Sequence, residues 1–235
     1  MKKSNTKSSE EIPLQRYIYT LFSTVGRIAL AVITSIIVPK ALGPKMLGTI
    51  AFGQIIVQNL RGLFDFNIGS TFFNLSASKH RSGGITRIFG KIIFFQIIIA
   101  VLILSFLSFT KSGNEIVQGT PFLILLLLLG IEWVLYLTSI SNQLGDSKGI
   151  SKWPQILILI SNLIMTSVII ALAALKDLTI YTYLITTFIF GLLSCFSIMI
   201  FLYQTNYESI WMKVGKEDFK NLLKITLKVS IPLTL

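Results

Sequence analysis

The chain has 235 residues, 53% of them hydrophobic and only 13% charged, with a mean hydropathy of +0.75. A soluble domain carries about 25% charged residues, so this composition excludes an ordinary water-soluble core. A net charge of +11 would suggest nucleic acid in a soluble protein, but the basic residues here lie mostly between apolar runs, where topology accounts for them without a nucleic-acid partner.

Taken in chain order, residues 1–16 are read as a cytoplasmic tail, because their Lys, Ser, Asn and Glu bury too little apolar surface to fold. A membrane-crossing helix needs about 20 mostly apolar residues. Windows of that kind occur at 17–38, 48–66, 88–109, 120–140, 154–175 and 180–203. The first is too long for a signal-peptide core of about 7 to 15 residues and is expected to be retained. Residues 204–221 read as a cytoplasmic amphipathic linker, and 222–235 as the start of a truncated seventh span. The fold expected is therefore an all-α polytopic transmembrane bundle of six complete spans. Pro39, Gly43 and Pro44, and later Gly145, Asp146 and Gly149, supply the turn chemistry between spans.

Basic residues resist translocation, so orientation follows from counting them in short loops. A cytoplasmic N-terminus places fifteen Lys and Arg inside and only Lys40, Lys45, Lys111 and Lys176 outside, leaving Arg27 and Arg61 within spans.

An ionisable side chain in hydrocarbon costs about 2.5 to 3.5 kcal/mol on insertion scales, so one that persists faces a partner or a wet cavity. In the first span Arg16, Thr20, Ser23, Thr24, Arg27, Thr34 and Ser35 recur at helical spacing. In the second, Gln54, Gln58, Arg61 and Asp65 share a face, and Arg61 is positioned to pair with Asp65. The fourth carries Glu132, Tyr136, Ser139 and Gln143. Counting a rise of about 1.5 Å per residue from the span ends puts Arg27 and Glu132 near one depth, which predicts that both line a central cavity and pair there, directly or through water. The fifth span adds Gln155, Asn162 and Thr166, and the sixth Tyr183, Thr187, Gly191, Ser194 and Ser197; helix packing is the competing explanation for both sets. The third span has only Gln96 and reads as lipid-facing.

No catalytic constellation competes. The single histidine, His80, lies in a basic loop without metal-ligand neighbours, and the single cysteine, Cys195, allows neither an intrachain disulfide nor a thiolate metal site. No Gly-rich phosphate loop ending in Lys-Ser or Lys-Thr is present. The chain is expected not to be an enzyme and to need no cofactor or metal.

Two segments carry a resemblance: Ile-Ile-Val-Pro-Lys-Ala-Leu-Gly-Pro-Lys-Met-Leu-Gly-Thr-Ile-Ala-Phe, from Ile36 to Phe52, and Leu-Phe-Asp-Phe-Asn-Ile-Gly, from Leu63 to Gly69. They resemble the Wzx-type polysaccharide flippases of the multidrug, oligosaccharidyl-lipid and polysaccharide exporter superfamily, with Asn67 in place of the usual Gly. The loop from Asn142 to Pro154 and the closing stretch from Phe219 to Leu233 look similar to that family's loop between the fourth and fifth spans and to the start of its seventh. The resemblance implies the first lobe of a two-lobe transporter in a bacterial cytoplasmic membrane. It also implies flipping of an undecaprenyl-diphosphate-linked oligosaccharide by alternating access. Arg27, Arg61, Glu132, Gln54, Gln58 and Asn162 would then line the substrate cavity, with Glu132 as the candidate for ion coupling. The partners implied are the lipid-linked oligosaccharide and membrane lipids, with polysaccharide polymerase and chain-length proteins as further candidates. The alternatives are a drug/cation antiporter of the same superfamily, which would want acidic and aromatic cavity residues, and a non-transporting membrane partner of polysaccharide assembly.

Overall fold

The computed structural model describes residues 13–64, 82–147 and 152–204, together with 69 and 150. The expected tail before residue 13, the loop containing His80, the linker and the start of the seventh span lie outside the described residues. Every regular element among the described residues is helical: α1 Pro13–Phe64, α2 Ser82–Phe109, α3 Lys111–Ile116, α4 Phe122–Ser147, α5 Lys152–Ala174 and α6 Ile180–Gln204. Five of these are long and apolar enough to cross a membrane.

The first expected span and residues 48–64 of the second lie within one 52-residue helix, α1, which is broken at Gly43 (φ 76°, ψ 167°) between Pro39 and Pro44. A positive φ suits glycine alone at no cost, and Pro44 removes a helical N–H immediately after it. The contacts on either side of the break fix the direction of each limb. Residues 13–42, the N-limb, run alongside α5 in the same sense: Tyr19 faces Lys152, the Ser23 hydroxyl donates to the Gln155 carbonyl at 3.0 Å, Gly26 meets Leu159, and Val38 packs with Ile169. Residues 44–64, the C-limb, run in the same sense as α4, with Gly53 against Leu125 and Leu128, and Arg61 against Glu132.

Helix α4 is in turn parallel to α6, with Gly130 on Phe188 and Val134 on Gly191, whereas α5 and α6 are antiparallel, with Ser161 at Phe190 and Trp153 at Phe201. The two limbs of α1 are therefore antiparallel, and Gly43 is the apex of a helical hairpin. One end of the bundle carries Gly43, Thr120 and Leu178; the other carries Lys152, Trp153 and Phe201.

Burial follows the helical period. On α2, Phe89, Ile93, Gln96, Ala100 and Leu104 are buried, while Phe94, Phe95, Leu102 and Phe106 on the other faces are exposed. So large an apolar outer surface would aggregate in water and matches a hydrocarbon solvent. The expectation that α2 faces lipid holds for those outer faces but not for Gln96, whose amide donates to the Phe64 carbonyl at 2.7 Å and closes the end of the C-limb.

Helix α4 is the centre of the main core, where Leu125, Leu128, Leu129 and Trp133 pack against Val57, Leu60, Leu184 and Ile198. Caps set the helix ends: Thr110 accepts from the Gly113 N–H, and Thr179 and Thr182 each accept from the other's backbone N–H at the start of α6.

Candidate functional site

Four elements surround a cavity of about 270 Å³: the N-limb, α4, α5 and α6. Its polar lining consists of Arg27 from the N-limb, Thr138, Ser139 and Asn142 from α4, Asn162 from α5, and Thr187 and Ser194 from α6. Ile131, Leu135, Ile158, Met165 and Phe190 supply apolar wall. Among the described residues no carboxylate lines it, and Arg27 is the charged side chain of that lining.

Arg27 is half-buried and donates from Nη2 to the Thr24 hydroxyl at 3.3 Å, one turn earlier on its own helix. Among the described residues no carboxylate lies within ion-pair distance of it. A guanidinium offers five donors in a planar fork, and one weak contact to a hydroxyl leaves most of them free for an anion.

The expected pairing of Arg27 with Glu132 does not form. Glu132, 8% exposed in its side chain, accepts from Arg61 Nη1 at 3.2 Å through Oε2 and from Gln58 Nε2 at 3.1 Å through Oε1. Arg61 also lies 5.4 Å from the centre of the Tyr136 ring, itself edge-on to Trp133. The predicted depth was sound, since the register through α5 and α6 places Arg27 level with about residue 135 of α4. What depth does not settle is the neighbour: Glu132 lies at the edge of the cavity-facing arc of α4, within about 20° of Ser139, and its carboxylate turns to Gln58 and Arg61 of the C-limb instead.

The six expected cavity residues thus fall into separate groups. Arg27 and Asn162 line the cavity. Arg61, Gln58 and Glu132 form a neutralised cluster between the C-limb and α4. Gln54 is exposed on the C-limb and lines neither. Asp65, the other partner expected for Arg61, lies outside the described residues. Of the fifth-span stripe, Asn162 lines the cavity, whereas Gln155 and Thr166 are buried in the helix packing and do not line it. Asn142, which the resemblance places at the start of the loop after the fourth span, lies on α4, which continues to Ser147, and it faces the cavity. Its spacing of four from Thr138 and seven from Leu135 was the available signal.

No family model matches the chain, and no characterised protein or solved structure does.

Proposed function

We propose that the chain is a membrane transporter subunit that moves an anionic, hydroxyl-rich solute, a lipid-diphosphate-linked oligosaccharide, across a bacterial cytoplasmic membrane. The observation that carries this reading is Arg27, which stands in a cavity whose other polar lining is hydroxyl and amide side chains, with no carboxylate among the described residues that line it. In a low-dielectric setting such a guanidinium attracts phosphate oxygens in charge-assisted, bidentate geometry, and the surrounding hydroxyls and amides suit sugar hydroxyls. A cavity of about 270 Å³ lies at the low end of ligand sites, which run from about 300 to 1,000 Å³. It fits the phosphate-proximal part of such a molecule, with the rest extending beyond it.

The antiparallel limbs of α1 support counting six crossings, and the distribution of basic residues supports a cytoplasmic N-terminus. A cation antiporter is less well supported, because the one intramembrane carboxylate among the described residues, Glu132, is engaged by Arg61 and Gln58 outside the cavity. The same engagement removes the support for Glu132 as a coupling site in this conformation.

Export of lipid-linked glycan in cells deprived of their own flippase tests the proposal. The chain restores export, and Arg27→Gln lowers it at least tenfold at equal membrane abundance. Restoration that is indifferent to Arg27 would exclude this cavity as the route, and no restoration at all would favour a non-transporting partner of glycan assembly.

A further inference from the structure

The outward face of the C-limb is polar where the outer surface of the bundle is otherwise apolar. Among the described side chains of the five long helices, three amides are exposed, Gln54, Gln58 and Asn59, and all three belong to this limb. They lie roughly 16 to 24 Å along the helix from the Gly43 apex, which is hydrocarbon depth. Gln58 donates to Glu132, but Gln54 and Asn59 take part in no side-chain hydrogen bond among the described residues. Ser35 and Ser167, also exposed, return their hydroxyls to the Val32 and Leu163 carbonyls of their own helices. The two amides do not, and lipid tails offer them no partner, so leaving them there is costly.

The amides sit in a pattern. Gly48, Ala51, Ile55, Gln58 and Gly62 are all exposed and recur every three and four residues, on the face opposite to the buried Ile50, Gly53, Val57 and Leu60. This is the a and d seam of a heptad, with Gln54 at g and Asn59 at e on its two flanks. The glycines of the seam serve no contact within the bundle. A Cβ at Gly48 or Gly62 would meet nothing within 4 Å, whereas one at Gly26, Gly53, Gly130 or Gly191 would strike a neighbouring side chain at 2.7 to 2.9 Å. Small residues on such a seam let a second helix approach closely.

We infer that a second copy of the chain docks on this seam, C-limb against C-limb, so that the protein is a dimer in the membrane. Two copies that share one orientation in a bilayer are related by an axis along its normal, so their C-limbs run parallel and each seam residue faces its own counterpart. In that pairing a g residue lies beside the e residue five positions further along the partner helix, and Gln54 and Asn59 stand five apart. An amide both donates and accepts. Gln54 of each copy therefore satisfies Asn59 of the other, twice about the axis, and Gln58 meets Gln58 across it. The face is complementary to itself, which selects a second copy over lipid. Arg61 and Glu132 neutralise each other within each copy and add no repulsion at the contact. The dimer goes beyond the transport reading and does not depend on the solute carried.

Cysteine cross-linking of the full chain in its membrane tests this, in a background where Cys195 is replaced by serine. On oxidation, Ala51→Cys, Ile55→Cys and Gly62→Cys on the seam give a disulfide-linked dimer of the chain at least tenfold more abundant than Leu63→Cys on the flank of the same limb or Phe95→Cys on α2, two positions that are also exposed. Gly62→Leu, and separately Gln54→Leu with Asn59→Leu, weaken dimerisation at least tenfold as read by energy transfer between labelled copies in vesicles. Neither lowers the melting temperature, because position 62 has open space around its Cβ and the two amides bond nothing within the bundle.

Cross-linking that is absent, equal at all five positions or directed to a different protein would overturn the dimer. Dimerisation indifferent to both leucine variants would overturn the seam as its contact.

Discussion

Glu132 and Arg61 illustrate how a charge is kept inside a bundle of this kind. The carboxylate has two partners, at 3.1 and 3.2 Å, and the guanidinium spreads its charge over the Tyr136 ring. Removing one member leaves the other as a buried, uncompensated charge, which costs more than the intact pair contributes. Arg61→Gln is expected to destabilise the fold by about 3 kcal/mol and Arg61→Gln with Glu132→Gln by much less, so the two losses are strongly non-additive in a double-mutant cycle read by chemical unfolding. Independent, additive losses would mean that the pair does not hold the C-limb to α4. Because this cluster lies outside the cavity, the double variant also retains anion binding, whereas Arg27→Gln loses it without a comparable loss of stability.

At the scale of single elements, the backbone carries two tests. Gly43 takes the hairpin apex at φ 76°, ψ 167°, a region open essentially to glycine, and an L side chain there costs about 1–3 kcal/mol. Gly43→Ala has open space around its Cβ, so the loss measured by thermal unfolding reports the backbone conformation and not a clash. Helix α5 ends in the mirror situation. Lys176 holds φ 61° in a cap where the Asp177 N–H reaches the Leu172 carbonyl at 3.0 Å and the Lys176 N–H the Ala173 carbonyl at 3.2 Å. Lys176→Gly is therefore expected to stabilise the protein by about 1 kcal/mol, and a loss of stability would contradict the assigned cap.

The helices themselves were legible because hydropathy is a one-dimensional signal; the break at Gly43 was legible because proline and glycine punctuate it. The partner of Glu132 was not, since it depends on which neighbours the faces of α4 meet. The C-limb claims Glu132 and leaves Asn142 to the cavity, a distinction that residue type and depth do not encode.

For the molecule as a whole, the alternation of helix directions predicts sidedness. Lys45, Lys111 and Lys176 belong to the Gly43 end and Lys152 to the opposite one. In a chain whose buried Cys195 is replaced by serine, and with the N-terminus cytoplasmic as proposed, single cysteines at the first three positions react with an impermeant maleimide from the outer face of intact cells, and one at position 152 reacts only after the membrane is opened. Labelling of position 45 from the face opposite to 111 and 176 would contradict the hairpin and the count of six crossings.

The functional claim rests on a cavity that, among the described residues, is lined by one positive charge and no negative one, so the most direct measurement is the affinity of the purified chain for a lipid-diphosphate-linked oligosaccharide, wild type against Arg27→Gln. A guanidinium that engages the diphosphate predicts at least a tenfold loss of affinity in the variant, the equivalent of about 1.4 kcal/mol. Equal affinity in the two proteins would contradict the account.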